Sequence, residues 1–82
     1  MPSKEDQLNS LISHLISEYR SLSLKTNTAD LAREWFNKMI YYSKMQHSFR
    51  IYEDENIMEE FIVYLNEEID KVNKLRDEMG YK

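Results

Sequence analysis

The sequence has no cysteine, so neither a disulfide framework nor a thiolate metal site is available to it. It has one glycine and one proline, which leaves little of the chemistry that tight turns require. We therefore expect a few long elements and no tight hairpins. No run approaches the roughly 18 apolar residues of a membrane span, and the polar start differs from a signal peptide. The sequence predicts a cytoplasmic protein without a membrane partner.

Three stretches of the chain repeat apolar residues at steps of three and four positions, the spacing that lines one face of an α-helix. They cover about 4–22, 29–49 and 56–79. A chain of 82 residues is long enough for one small core. We expect a single domain over residues 1–82 with an all-α, three-helix bundle fold. The pattern leaves open whether dimerisation completes the core.

The first stretch has the cleanest pattern, with an apolar stripe on one side and mostly serine on the other. Ser3 is placed to cap this helix, because Asp6 follows at the third position of a capping box. The spacing of the stripe is typical of core packing. Its residues are Leu8, Leu11, Ile12, Leu15, Ile16, Tyr19 and Leu22.

The second stretch is apolar over about half of its circumference. A helix of this kind usually lies between two others, so we expect the second helix at the centre of the bundle. Its stripe becomes polar after residue 42. The residues expected in the core are Leu31, Ala32, Trp35, Phe36, Met39, Ile40 and Tyr42.

The third stretch begins at Asn56, where Glu59 provides the other half of a capping box, and Gly80 is placed to end it. About 24 residues at ~1.5 Å each give a rod of about 36 Å, so we expect its last turns to project beyond the first helix. Arg76 falls in line with the apolar seam near that end, which indicates a neighbour there. Residues of the seam that are spaced by sevens favour near-parallel helix packing; they are Met58, Leu65, Val72 and Met79.

Residues 46–55, QHSFRIYEDE, give no single prediction. Either the second helix continues to Phe49, or the FRIY run is extended, since Phe, Ile and Tyr favour strands. A lone strand has nothing to pair with in this chain. We favour a frayed helix end followed by a loop.

The chain lacks the motifs of catalysis and of cofactor binding. No nucleophile elbow, glycine-rich phosphate loop or metal-ligand spacing is present in the sequence. His14 precedes Glu18 by one helical turn, which predicts a surface contact rather than a catalytic pair. We predict that the protein is not an enzyme, and that it has no catalytic, cofactor-binding or metal-binding residue and no small-molecule substrate.

The net charge of −4 is unevenly distributed along the chain. Residues 31–52 carry four basic side chains and one acidic one, whereas residues 53–82 carry ten acidic and four basic ones. Basic residues interleaved with aromatic ones in segment 33–52 are the pattern of a surface that grips phosphates and stacks on bases. Lys38 and Lys44 are about 120° apart on a helix, so they do not form one compact patch. The candidate nucleic-acid-binding residues of this second-ranked hypothesis are Arg33, Lys38, Lys44 and Arg50.

Apolar residues that the three stripes leave over favour a protein-binding function, because aromatic residues and methionine are enriched at interface cores. The leading hypothesis is a small acidic helical interaction module, of a regulatory, inhibitory or immunity type. It binds a protein partner or a second copy of itself, and the acidic face of the third helix steers a basic partner. The alternatives are a nucleic-acid-binding regulator and an acidic nucleic-acid mimic that blocks a nucleic-acid-binding protein. The predicted protein-binding anchors are Tyr41, Met45, Phe49 and Tyr52.

Overall fold

A computed structural model describes residues 3–78, without the side chain of Phe49, and within that range the chain folds into three α-helices and no strand. The helices are α1 (Lys4–Lys25), α2 (Ala29–Gln46) and α3 (Glu55–Glu78). A 3-10 helix, Phe49–Tyr52, joins α2 to α3. The prediction of an all-α three-helix bundle is therefore confirmed. None of the described helices is both long and apolar enough to cross a membrane.

The core follows heptad-like spacing in the helices. The buried residues of α1 alternate at steps of four and three, which keeps them on one stripe. In α3, the residues predicted from the spacing by sevens are the buried ones, as far as the described chain extends. Met79, the last of that series, and Gly80, the predicted stop, lie outside the described residues. The core residues are Leu8, Ile12, Leu15, Tyr19, Leu22, Trp35, Tyr42, Met45, Ile51, Met58, Leu65 and Val72.

The centre of the bundle is α1. It packs extensively against both α2 and α3, whereas α2 and α3 have little contact with each other. The expectation that the second helix is central was therefore wrong. Small side chains of α1 explain the close approach of α2: the Ser23 hydroxyl donates a hydrogen bond to the Ala32 carbonyl at 2.8 Å, and the Gln46 amide donates one to the Ser13 hydroxyl at 2.7 Å.

Because α2 packs mainly against α1, it buries only part of its broad apolar arc. Trp35 and Tyr42 are buried, as expected from the sequence. Phe36 and Ile40, which were also expected in the core, are 48% and 36% exposed. The width of the arc therefore did not indicate a second neighbouring helix; it indicates apolar surface that the isolated chain leaves uncovered.

Two ion pairs show that α1 and α3 run parallel. Lys4 pairs with Glu59 at 3.7 Å near the start of both helices, and Arg76 pairs with Glu18 at 2.7 Å near their ends. Arg76 therefore has its ionic partner within the chain, and its position in the seam does not require the outside neighbour that the sequence indicated. Because α1 continues for seven residues beyond Glu18, α3 does not project beyond it up to Glu78. The predicted projection was wrong.

The starts of α1 and α2 agree with the prediction, and the other described helix limits differ from it by one to three residues. Ser3 caps α1 as predicted, since its hydroxyl accepts a hydrogen bond from the Asp6 amide at 3.1 Å. For α3 the cap is Asp54, whose carboxylate accepts from the Asn56 amide at 2.7 Å, so Asn56 is not the capping residue. The first helix continues past residue 22 to Lys25.

The segment after α2 contains a 3-10 helix with short irregular stretches on either side, and no strand. The helix ends at Gln46, before the predicted limit at residue 49, and the FRIY run forms the 3-10 helix. Ile51 is buried in the core, and the Tyr52 hydroxyl donates to the Gln46 carbonyl at 3.3 Å. One apolar anchor and one hydrogen bond thus close the end of the bundle at this point.

The described chain is a short rod of 40 × 21 × 17 Å. Its radius of gyration is 13.5 Å, compared with about 12 Å for a compact domain of this length. A small, elongated domain buries a smaller share of its surface than a large one. Single exposed apolar residues are therefore expected, and groups of them indicate candidate binding surfaces.

Candidate interaction groove

An open groove lies between α2 and α3, which both pack on α1 and have little contact with each other. It is lined by Tyr41 of α2 and by Glu60, Phe61 and Tyr64 of α3, and we refer to these four residues as the aromatic groove. Tyr41 is 56% exposed and Tyr64 is 40% exposed, while Phe61 is partly buried against the core. The groove therefore presents three aromatic rings beside one carboxylate.

A series of ring contacts holds the groove in place. Tyr41 meets the ring of Tyr42 edge to face, with ring centroids 5.2 Å apart and planes at 78°. The Tyr42 ring in turn stacks on Tyr19 of α1, at 5.8 Å and 6°. Such pairs contribute about 0.5–1.5 kcal/mol each beyond the area they bury. The exposed Tyr41 is thus supported by two buried rings, and little ordering is required when a partner binds.

The hydroxyls behind the groove are held in the protonated form. Burial raises the pKa of Tyr19 to about 12, and the negative charge of Glu68 acts in the same direction. Burial likewise raises the pKa of Tyr42 above its usual range, and the neighbouring Tyr64 side chain adds to the effect. The two tyrosines behind the groove are therefore neutral at physiological pH.

Beyond the aromatic groove lies a second, narrower part of the cleft between α2 and α3, where three of the charged side chains contact a partner. The ammonium of Lys38 lies 5.5 Å from the centre of the Tyr19 ring, within range of a cation–π contact. Lys71 and Glu68, which line the same narrow part, pair at 3.3 Å. At the open end, by contrast, none of the basic side chains in residues 3–78 pairs with Glu60. Glu60 is thus the carboxylate of the groove that is available to a bound cation.

The raised pKa of Tyr19 predicts a loss of stability at high pH. The unfolded chain releases this proton near the usual value of 10.0, whereas the folded chain keeps it up to about 12. Between these values the unfolded state binds fewer protons, so the free energy of unfolding falls as the pH rises; below pH 10 the contribution is constant. Urea unfolding followed by circular dichroism across this range measures the slope. Tyr19→Phe should reduce it, and an unchanged slope in that variant would contradict the assignment.

The structure separates the four predicted protein-binding anchors. Tyr41 lies in the aromatic groove, whereas Met45 is buried in the core. Tyr52 packs against the core and donates its hydroxyl hydrogen bond to a backbone carbonyl. The side chain of Phe49 lies outside the described part. Of the described anchors, only Tyr41 is therefore presented to a partner in this conformation.

Two groove residues were missed at the level of sequence. Tyr64 was not among the predicted anchors; it lies 23 positions from Tyr41, and nothing in the spacing joins them. Phe61 was not among the predicted anchors either; it is partly buried and packs against the core. Only the packing of α2 and α3 on α1 brings these residues to one place.

The four candidate nucleic-acid-binding residues are all exposed but do not form one patch. Arg33 and Lys44 are eleven positions apart on α2, so they differ by only about 20° in direction. Lys38 points to the other side, over the Tyr19 ring. Arg50 lies on the 3-10 helix. The separation of Lys38 from Lys44 thus agrees with the predicted geometry.

Neither metal sites nor known relatives give a further guide to function. Within residues 3–78, no group of three or more acidic or histidine side chains is placed to hold a metal ion. In comparisons with known proteins, no family model matches the chain, and neither the curated proteins nor the solved structures include a significant match. The function must therefore be inferred from the geometry of the surface.

Proposed function

We propose that the protein is an interaction module that acts by binding another protein chain in the aromatic groove. One observation carries the proposal: α2 and α3 both pack on α1 but have little contact with each other, and the gap between them exposes Tyr41 and Tyr64. Tyrosine is among the residues that most often dominate binding energy. A helix of a partner fits such a gap, where it would lie as a fourth helix beside the three.

The chemistry of the groove supports a basic, amphipathic helix as the partner. Apolar side chains spaced by three or four residues on such a helix would contact the aromatic rings. A lysine or arginine at its edge would pair with Glu60. The outer face of α3 carries further unpaired acidic residues, which would accelerate the approach of a basic partner. Binding alone, without a catalytic step, is sufficient for a regulatory, inhibitory or immunity-type role, and the proposal includes a cytoplasmic location.

The test is a double variant that keeps the fold and changes the groove. Tyr41→Lys removes an exposed aromatic ring, and Glu60→Lys reverses the charge at the position of the unpaired carboxylate. A matched control, Ser17→Lys with Glu53→Lys, makes the same change in formal charge at exposed positions outside the groove. Partners captured by the wild type would be purified and titrated calorimetrically against all three proteins. We expect the groove variant to bind at least about tenfold more weakly, and the control to bind like the wild type.

Equal binding by the groove variant and the wild type would refute the proposal. Equal weakening in both variants would show that net charge, and not the groove, determines binding. The alternative of nucleic-acid mimicry makes a different prediction: the captured partner would be a nucleic-acid-binding protein, and nucleic acid would displace this chain from it.

A further inference from the structure

A second exposed apolar surface lies on the opposite flank of α2 from Tyr41. Phe36 and Ile40 are one helical turn apart and 48% and 36% exposed. Arg33 and Lys44 lie on the same side of the helix, one before and one after this pair. We refer to these four residues as the basic ridge. Neither of the two cations forms an ion pair with any described residue of the chain.

We propose that the basic ridge of one copy docks into the aromatic groove of a second copy, so that the chain associates with itself head to tail. The inference rests on the proposed function, since it uses the same groove and names an occupant for it. The ridge has the properties derived above for a partner of the groove. It is a helix with an apolar pair one turn apart, and basic residues flank that pair.

The spacing and the charges of the two surfaces agree. Phe36 and Ile40 have Cβ atoms about 5–6 Å apart, as any pair four positions apart on a helix does, and Phe61 and Tyr64 offer ring surfaces at a similar spacing. The cations of the ridge would face Glu60 and the acidic outer side of α3. Contact therefore covers apolar surface on both copies and pairs charges that are unpaired in the single chain.

Charge also determines the symmetry of the association. In an antiparallel contact between two ridges, Arg33 of one copy would lie near Lys44 of the other, and these like charges repel. A groove-to-groove contact would bring the two Glu60 carboxylates together. Ridge against groove is the combination that avoids both repulsions. Such a heterologous contact leaves one ridge and one groove free in every pair, so association continues into rings or open chains.

The contact area limits the strength of the association. One helix face with two apolar side chains covers less than the roughly 800 Å² per partner of a standard stable interface. We therefore expect weak association, which is populated at high protein concentration and weakened by salt because exposed charges are screened. Analytical ultracentrifugation at millimolar concentration and low ionic strength is the suitable measurement.

Two variants that each remove one surface make the test decisive. The ridge variant is Phe36→Gln with Ile40→Gln, and the groove variant is Tyr41→Lys with Glu60→Lys. We expect the wild type to associate and each variant alone to sediment as a single chain. An equimolar mixture should form pairs and nothing larger, because the intact ridge of one variant fits the intact groove of the other and no further intact surface remains.

Three results would overturn the inference: a wild type that sediments as one chain under these conditions, a mixture that stays monomeric, or a variant that still associates alone. Circular dichroism checks the fold, and Phe36→Gln alone and Glu60→Lys alone replace any double variant that loses helix content. A different protein that binds the groove, together with a monomeric wild type, would overturn this inference and leave the proposed function standing. Self-association that is lost in both variants, with no foreign partner dependent on the groove, would support this inference and limit the proposed function to binding a second copy.

Discussion

Replacing Leu15 by alanine is expected to lower the free energy of unfolding by about 3–5 kcal/mol. Leu15 is fully buried at the middle of α1, the helix that contacts both of the others. A domain of this length has about 5–10 kcal/mol of stability in total, so the loss would remove a large part of it. Urea unfolding followed by circular dichroism gives the difference directly.

Leu24 provides the matched control for Leu15. It is the same residue type on the same helix, but it is 77% exposed whereas Leu15 is 0% exposed. Leu24→Ala should therefore change the free energy of unfolding by less than about 0.5 kcal/mol. Similar losses in the two variants would mean that α1 does not lie between the other helices in the way the structure places it.

The adjacent aromatic residues of α2 should differ as strongly. Trp35→Ala is expected to cost about 3–4 kcal/mol, because the indole is buried in the core and its removal leaves a cavity. Phe36→Ala should cost less than about 1 kcal/mol, because this ring is half exposed and its removal leaves no cavity in the core. Thermal unfolding of both variants beside the wild type measures the contrast.

The Trp35 and Phe36 pair distinguishes the structure from the sequence pattern. The pattern assigns both rings to the core of a central helix, whereas the structure buries only Trp35. A loss at Phe36 as large as the loss at Trp35 would favour the pattern. It would also indicate that Phe36 is covered in solution, which the self-association of the chain would explain at high concentration.

The elements of the fold were predictable because each depends on local chemistry. Serine before a helical pattern marks a start, and residues spaced by sevens mark a buried seam. Thus Ser3 and the seam residues Met58, Leu65 and Val72 were identified before the structure. The structure after α2 was harder to predict, because Ile51 and Tyr52 are fixed by contacts with the rest of the bundle and not by their neighbours in sequence.

The arrangement of the helices could not be predicted from the same patterns. The width of an apolar arc shows how much apolar surface a helix has, but it does not show how many neighbouring helices cover that surface. The broad arc of α2 thus pointed to the wrong central helix. The signal that was available lay in α1, where Ser13 and Ser23 are small enough for another helix to approach and offer hydroxyls to it.

The candidate site was predictable only in part for the same reason. Tyr41 was identified as apolar surface left over from a stripe, and the structure places it in the groove. Met45 had the same status in the sequence and is buried, because the 3-10 helix closes the bundle over that end. Phe61 and Tyr64 line the groove because of the way α2 and α3 pack on α1, and their spacing along the chain does not indicate that packing.

The parallel course of α1 and α3 also sets an order of folding. Contacts between α1 and α2 close short segments, such as the nine positions between Ser23 and Ala32, whereas the bond from Arg76 to Glu18 closes 58. Short closures cost less chain entropy and form sooner, so we expect the α1–α2 hairpin to form before α3 docks. The aromatic groove exists only after that last step. A ligand that recognises it would therefore bind completed molecules selectively and stabilise them against the loss of α3.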